Sequence, residues 1–419
     1  MSKEIPVNID CDSQPDLLSV EDALQRIQSF IEPVSETQTL GLMDALHHVL
    51  AEEVISPINV PPYMNSAMDG YAVKGTDLPQ TDPVELKVIG TSFAGTPFEG
   101  TVNDGECIRI MTGAQMPEGA DTVIMQEHVV RENDTIRIVT GHCAGQNVRH
   151  AGEDIQQGGI VLQPGKFIGP AELGLLASLG VADVTVRRKL KVAFFSTGDE
   201  LRPVGEKLEE GQIYDSNRYS LFGMLNELGV EVIDLGVIKD DPQAVEDAFI
   251  KASNLADAVF TSGGVSVGDA DYVKQTLDKI GEVDFWRIRM KPGKPLAVGK
   301  INDAVFFGLP GNPVSVMSTF YIFALPALRR LMGQTDFSQL TFEIPCKSGL
   351  KKRPGRTDFQ RGIMHRDDKG DLVVDGAGMQ ASHILSGMSK ANCFIILPAE
   401  SGNVEPGERV EVLPFEGMK

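Results

Sequence analysis

The chain has 419 residues, more than one hydrophobic core ordinarily supports, so two to four folded units are expected. Hydrophobic residues make up 42% and charged residues 23%, proportions that exclude a disordered or collagen-like chain. Lysine and arginine total 38 against 59 acidic residues, and the resulting net charge of −21 opposes non-specific binding to nucleic acid or to anionic membranes.

An anionic ligand therefore needs a local basic pocket or a divalent cation. The five cysteines, Cys11, Cys107, Cys143, Cys346 and Cys393, are scattered without a C-x-x-C pair, which argues against a disulfide framework or a structural zinc site. The N-terminus is acidic and has no apolar signal core, and no stretch approaches the roughly 20 apolar residues that span a bilayer. A soluble cytoplasmic protein is expected, with neither nucleic acid nor membrane as a partner.

In chain order, SVEDALQRIQSFI places Val20, Ala23, Leu24, Ile27 and Ile31 at helical spacing, and Ser19 with Asp22 fits a capping-box start. A second helical piece is predicted over about 41–50, before Pro57, Pro61 and Pro62 break the periodicity. From about 65 to 145, short β-rich runs (YAV, VELKVIG, ECIRIM, DTVIMQEHVV, TIRIV) predict a small mainly β domain. Residues 146–188 are mixed, with a helix near 170–179 opening on Pro170.

Between 189 and 333, apolar runs alternate with helix-period segments. They are KVAFFS, a helix near 217–228, VEVIDLGV, a helix near 242–254, DAVFTS, a helix near 271–280, VDFWRIRM, AVFFGL and a long helix from about 313. This alternation predicts an α/β domain with a central parallel sheet. Residues 338–419, with the turn signals KRPGR, DDKGD and EPGER, read as a separate β-barrel or sandwich.

Ligands of an open α/β sheet collect at the carboxyl ends of its strands. Four turns qualify: Thr197–Leu201, Ser262–Asp269, Leu309–Ser315 and the KPGKP turn Lys291–Pro295. Asp199 and Glu200 are either a helix cap with a first-turn acid or ligands at the sheet edge. Ser262, Gly263 and Gly264 open a turn that can present successive N–H groups to an anion, although glycine turns are common. Asn312 can cap a helix whose first position is Pro313, which makes either a plain capped helix or an oxyanion site among Pro310, Gly311 and Ser315. Lys291, Lys294, Arg287 and Arg289 form the dense basic cluster of this domain, read either as a solvated edge or as an anion site. Asp215, Asp240, Asp241, Asp269 and Asp271 fall in loops on the same side and can each be a cap. Together, carboxylates with lysines suit Mg²⁺ and a phosphate-bearing ligand. Asp69, in NSAMDGYAV, and Thr112, in RIMTGA, read as turn residues, and Lys351, Lys352, Arg353 and Arg356 as a solvated loop.

Taken together, NSAMDGYAV, RIMTGAQMPEGADTVIMQE, STGDEL, GQIYDSN, TSGGVSVGDADY, MKPGKPLAVGK and GLPGNPVSV resemble the molybdopterin molybdenumtransferase (MoeA) family in order over nearly the whole chain. That family includes the gephyrin E domain, and its α/β unit is similar to the stand-alone, MogA-like pterin adenylyltransferases. The resemblance implies an elongated homodimer of four parts. These are a discontinuous N-terminal subdomain (17–55 and 146–188), an inserted β-rich domain (56–145), a molybdopterin-binding α/β domain (189–333) and a C-terminal β-barrel (338–419). It implies that molybdate is inserted into adenylylated molybdopterin with release of AMP, with Mg²⁺ as cofactor. A pterin adenylyltransferase and molybdenum-cofactor delivery proteins are the implied partners. Glu200, Asp240, Asp271 and Lys291 fall on catalytic positions, the three acids as metal ligands. Asp69 and Thr112 fall on positions that close the partner's site. Arg287 stands where the family is expected to have lysine, and a planar fork is not equivalent to a point ammonium. Adenylyltransferase activity and a non-catalytic, gephyrin-like scaffold are the competing readings.

Overall fold

A computed structural model of the chain describes residues 17–263 and 272–415. Cys11, Gly264, Asp269 and Asp271 lie outside the described residues. The organising element is a six-stranded sheet in the spatial order Glu231–Ile238, Lys191–Thr197, Ala258–Ser262, Ala304–Leu309, Pro295–Ile301 and Gly281–Arg287. The first four strands are parallel neighbours. Three of them are near-continuous runs of buried Val, Phe and Ala, because both faces are covered. Successive side chains then divide between two cores. Phe194, Phe260 and Phe307 pack with Leu221, Leu225 and Phe320 on one face, while Phe195, Val259 and Phe306 pack with Val245, Phe249 and Leu277 on the other.

Two details of this α/β domain differ from expectation. The run predicted as one strand from Val283 to Met290 ends at Arg287. Pro295–Ile301 then forms a further strand, antiparallel to both of its neighbours, so the sheet is mixed. It turns into Ala304–Leu309 through Asn302 and Asp303, where Asn302 adopts a left-handed φ of 53° that asparagine tolerates in tight hairpins. This reversal brings the turn 288–294 to the same end of the sheet as the parallel strands' carboxyl termini. Ser196 is level with Ser262, Ser262 with Leu309, Gly308 with Ala297, and Pro295 with Arg287. The second difference lies in the long helix, which runs as Pro313–Thr319, a π turn over Phe320–Ala324, and Leu325–Leu331. Pro326 has no N–H to give the carbonyl of Ile322 four residues earlier, and the ladder widens there.

Helix Val20–Phe30 is capped as predicted, with Ser19 Oγ accepting from the Asp22 N–H at 3.0 Å. Its buried face, Val20, Ala23 and Ile27, joins the core around Leu325 and Leu328 of the α/β domain. The helix predicted over 41–50 is absent. Only a 3-10 turn, Leu42–Ala45, forms, and beyond it His47 has a φ of 63°. His48 and Leu50 are drawn instead into backbone bonds with Lys166 and Ile168.

Two distant stretches build the N-terminal unit. Thr37–Gly41 pairs with Asp183–Arg187, Val54–Ile55 with Ile160–Leu162, and Asn65–Ser66 with Val148–Arg149. Inserted between them is a six-stranded sheet of order Thr122–Met125, Gly70–Val73, Glu106–Ile110, Val84–Ser92, Thr135–Ile138 and Val129–Glu132. The C-terminal strands close into a ring. Phe342–Pro345 pairs with Arg409–Pro414, which pairs with Cys393–Leu397, then Thr357–Arg366, then Leu372–Gly376. A bridge between Val374 and Cys346, just past the first strand, completes the barrel. No described helix is long and apolar enough to cross a membrane.

Candidate active site

At the carboxyl end of Lys191–Thr197 the chain turns on Gly198, whose φ of 146° and proximity to the Glu200 carboxylate leave little room for a Cβ. The turn sets Asp199 and Glu200 beside the loop after Glu231–Ile238, where the Asp240 N–H reaches Asp199 Oδ1 at 3.4 Å. Burial and the charges of Asp199 and Glu200 push the Asp240 carboxyl above its usual range. The bland reading holds for two other acids. Asp241 caps helix Pro242–Leu255 through the N–H groups of Gln243 and Ala244, and Asp215 caps helix Ser216–Leu228 through Arg218. Among the described residues no three His, Cys, Asp or Glu side chains form a metal site. The donor set at the rim, the clustered carboxylates of Asp199, Glu200 and Asp240, is nevertheless suited to a hard cation.

Next along the sheet end, Gly263 has a φ of 90°, and a Cβ there would stand 3.1 Å from the Thr197 carbonyl oxygen. Ser196 and Ser262 join hydroxyls at 3.1 Å below it. Asn217 Nδ2 donates to the Gly311 carbonyl at 2.7 Å, and its own Oδ1, like Asp215 Oδ2, is buried without a partner. Asn312 occupies the cap position of helix Pro313–Thr319 but makes no side-chain cap bond. The helix start is less open than expected. The Val314 N–H goes to the Ser382 carbonyl of the barrel at 3.1 Å, and Ser315 is buried.

The basic side is assembled from two domains. The KPGKP turn lies on the same helix, where Gly293 leaves space for Thr319 and Ser318 Oγ reaches the Pro292 carbonyl at 3.5 Å. Met290–Lys291 pairs with Thr357–Asp358 of the barrel. Lys291, half exposed, lies 3.9 Å from Asp358 and lines a cavity of about 600 Å³ with Lys351, Lys352, Arg353 and Arg356. The stretch expected as a solvated loop is therefore a cavity wall. Lys352 is only 5% exposed, its Nζ facing the carbonyls of Arg353, Ser401 and Ala399 at 3.2–3.4 Å. Burial pushes that amine below its usual range. Lys294 and Arg287 flank the turn, and the Arg287 carbonyl accepts from Leu18 at 2.9 Å.

Asp69 and Thr112 also meet, but in the inserted sheet. Asp69 Oδ1 accepts from the Thr112 N–H at 2.7 Å and from its hydroxyl at 2.8 Å, and these bonds hold the carboxyl below its usual range. Arg109, 5.1 Å over the Tyr71 ring, braces the adjoining strand.

Comparison with known proteins agrees with this architecture. The family model of the MoeA N-terminal region (domain I and II) matches residues 18–180, that of a "Probable molybdopterin binding domain" residues 193–330, and that of the MoeA C-terminal region (domain IV) residues 343–415. A molybdopterin molybdenumtransferase of Haemophilus influenzae is 47% identical over 404 residues, 96% of this chain and 100% of its own. The chain belongs to the molybdopterin molybdenumtransferase family.

A Bacillus subtilis relative of the same name is 34% identical, with 94% of each chain covered. A crystal structure of a molybdopterin biosynthesis MoeA protein from Pyrococcus horikoshii superposes with a TM-score of 0.81 at 30% identity, covering 95% of this chain and 100% of that one. This member of the molybdopterin molybdenumtransferase family is thus an enzyme of molybdenum cofactor biosynthesis. The residues that sequence reasoning passed over, Lys351, Lys352, Arg353 and Arg356, carried a signal of their own. They put four cations in six positions of a chain otherwise short of positive charge.

Proposed function

We propose that the chain inserts molybdate into adenylylated molybdopterin, with release of AMP, in the crevice at the carboxyl ends of its central sheet. The observation that carries this reading is the separation of charge at one end of the sheet, with the carboxylates of Asp199, Glu200 and Asp240 beyond the parallel strands and the five-cation cavity around Lys291 beyond the antiparallel ones. A tetrahedral dianion is drawn to the cavity, where Lys291, Arg356 and the neighbouring Lys294 and Arg287 offer charged donors. The middle of the crevice suits the pterin phosphate and its nucleotide. The Gly263 N–H donates to the Leu309 carbonyl at 3.2 Å, so the phosphate contacts would come from the adjoining turn of Pro310, Gly311, Asn312, Pro313 and Ser315. The orphaned acceptors of Asp215 and Asn217 fit a ligand rich in N–H groups, as a pterin ring is.

Glu200 and Asp240, with Asp271 outside the described residues, would hold a Mg²⁺ ion whose charge offsets that of the phosphates at the anhydride. The protein residues supply position and electrostatic complementarity rather than a nucleophile. Asp69 and Thr112, on a separate domain, close the site of a second copy in a homodimer. Exposed Ile213, Tyr214, Tyr219 and Phe222, on and just before helix Ser216–Leu228, are apolar surface suited to that association. The enzyme works in the cytoplasm between a pterin adenylyltransferase and cofactor delivery proteins.

The test is conversion of adenylylated molybdopterin, molybdate and Mg²⁺ to active cofactor and AMP by the purified protein. ATP-dependent adenylylation of molybdopterin, or no turnover at all, would overturn the reading.

A further inference from the structure

Strand Thr357–Arg366 of the barrel touches the crevice at its start, through the pairing of Thr357 and Asp358 with Met290 and Lys291. Farther along the same strand, Arg361 is the largest fully buried side chain among the described residues, 1% exposed. Among the described residues it makes no ion pair. Nη1 donates to the Ala381 carbonyl at 3.2 Å, Nη2 donates to that of Met379, and Nε is buried without an acceptor. The backbone of Arg361 is gripped by the same loop. Its N–H donates to Gln380 Oε1 at 2.8 Å, and Gln380 Nε2 donates to its carbonyl at 3.0 Å. Gly387 makes room for the guanidinium, since a Cβ there would stand 2.9 Å from Nε.

A buried guanidinium facing only neutral carbonyls is an expensive way to fill volume, and an apolar side chain would stabilise the barrel better. Its geometry gives another reason for it. Arg361 fixes residues 379–381, and the next residue, Ser382, offers its carbonyl to the Val314 N–H at 3.1 Å, at the start of the helix that borders the crevice. Through this loop the strand that carries Asp358 also sets the opposite wall.

We propose that Arg361 is a positioning residue for oxyanion binding: its fork holds loop Met379–Ser382 against helix Pro313–Thr319, and so fixes the width of the crevice beside the basic cavity. The proposal rests on the reading of that crevice as the molybdate site. Arg361→Lys keeps the charge but loses the planar fork, and Gln380→Ala loosens the same loop from its less buried side. Both variants are expected to raise the KM for molybdate about tenfold while kcat stays within about threefold, a split that simple loss of folded enzyme does not produce. Steady-state cofactor synthesis with molybdate varied is the measurement, with Lys291→Ala in parallel and thermal unfolding of each protein recorded. Folded Arg361→Lys and Gln380→Ala proteins with wild-type KM, beside an inactive Lys291→Ala, would overturn the positioning role and leave the crevice assignment standing. Wild-type turnover by Lys291→Ala would overturn the crevice assignment and this proposal with it.

Discussion

Arg188 grips Asp257 with both arms, Nη1 on Oδ2 and Nη2 on Oδ1, each at 2.7 Å. The pair joins the last strand of the discontinuous N-terminal unit to the foot of the α/β sheet, and the Lys191 N–H adds a third bond to the carboxylate. Glu36 also reaches the Arg188 Nε.

Breaking this fork should loosen the two units from each other. Asp257→Asn leaves the half-buried guanidinium with a weaker acceptor, and an expected loss of about 2 kcal/mol is readable as a lower denaturant midpoint. Burial pushes the Asp257 carboxyl up, but the Arg188 and Lys191 hydrogen bonds outweigh it and hold the group below its usual range. Its stabilisation is therefore present above the ordinary carboxylate range near pH 4 and is lost as pH falls through the lowered native value. A wild-type protein whose midpoint falls no more steeply with acid than that of the variant would contradict this.

Asp240 should show the opposite sign. Its raised carboxyl means that ionisation opposes folding, so without divalent cations stability falls as pH rises from the usual carboxylate range through the native value. Asp240→Asn should melt slightly higher than wild type in chelator and lose most of its activity. Mg²⁺ should raise the melting temperature of wild type more than that of the variant. Equal Mg²⁺ shifts would remove Asp240 from the metal site.

The basic cavity makes a binding prediction. Lys291→Ala and Arg356→Ala should each weaken molybdate affinity about tenfold or more, by equilibrium dialysis, and the wild-type affinity should fall as salt rises. Affinity independent of both changes would place the oxyanion elsewhere.

Asp69 and Thr112 allow a genetic test of the dimer. Co-purified heterodimers of an Asp69→Asn chain and an Asp240→Asn chain contain one intact composite site, so about half of wild-type activity is expected although each homodimer is nearly inactive. Inactive heterodimers would mean that the inserted domain serves its own chain.

The sequence made the centre of the fold readable because its strands are buried on both faces, and runs such as VAFFS and AVFF have no other explanation. Helix caps at Ser19, Asp215 and Asp241 were local signals and were legible as such. Pro295–Ile301 was hidden because Pro292 and Gly293 just before it, with Pro295 at its start, read as one long turn. The stretch 46–50 looked helical because nothing local reveals that its backbone bonds to residues 166–168. At the site, Asp69 and Thr112 are 43 residues apart, so their hydrogen bonds had no mark in either motif. The cavity between Lys291 and Lys351–Arg356 belongs to a meeting of two domains that spacing within one of them does not encode, and the buried Arg361 depends on a loop some twenty residues downstream in its own domain.

The paired stretches below the inserted sheet have a consequence for how the gene can be cut. Val54–Ile55 with Ile160–Leu162, Val60 with Ile155, and Asn65–Ser66 with Val148–Arg149 form one continuous stalk, and the polypeptide climbs and descends it side by side. A tight hairpin splicing the two strands at the level of Val60 and Ile155 would bypass the insert and leave the remaining units a closed chain.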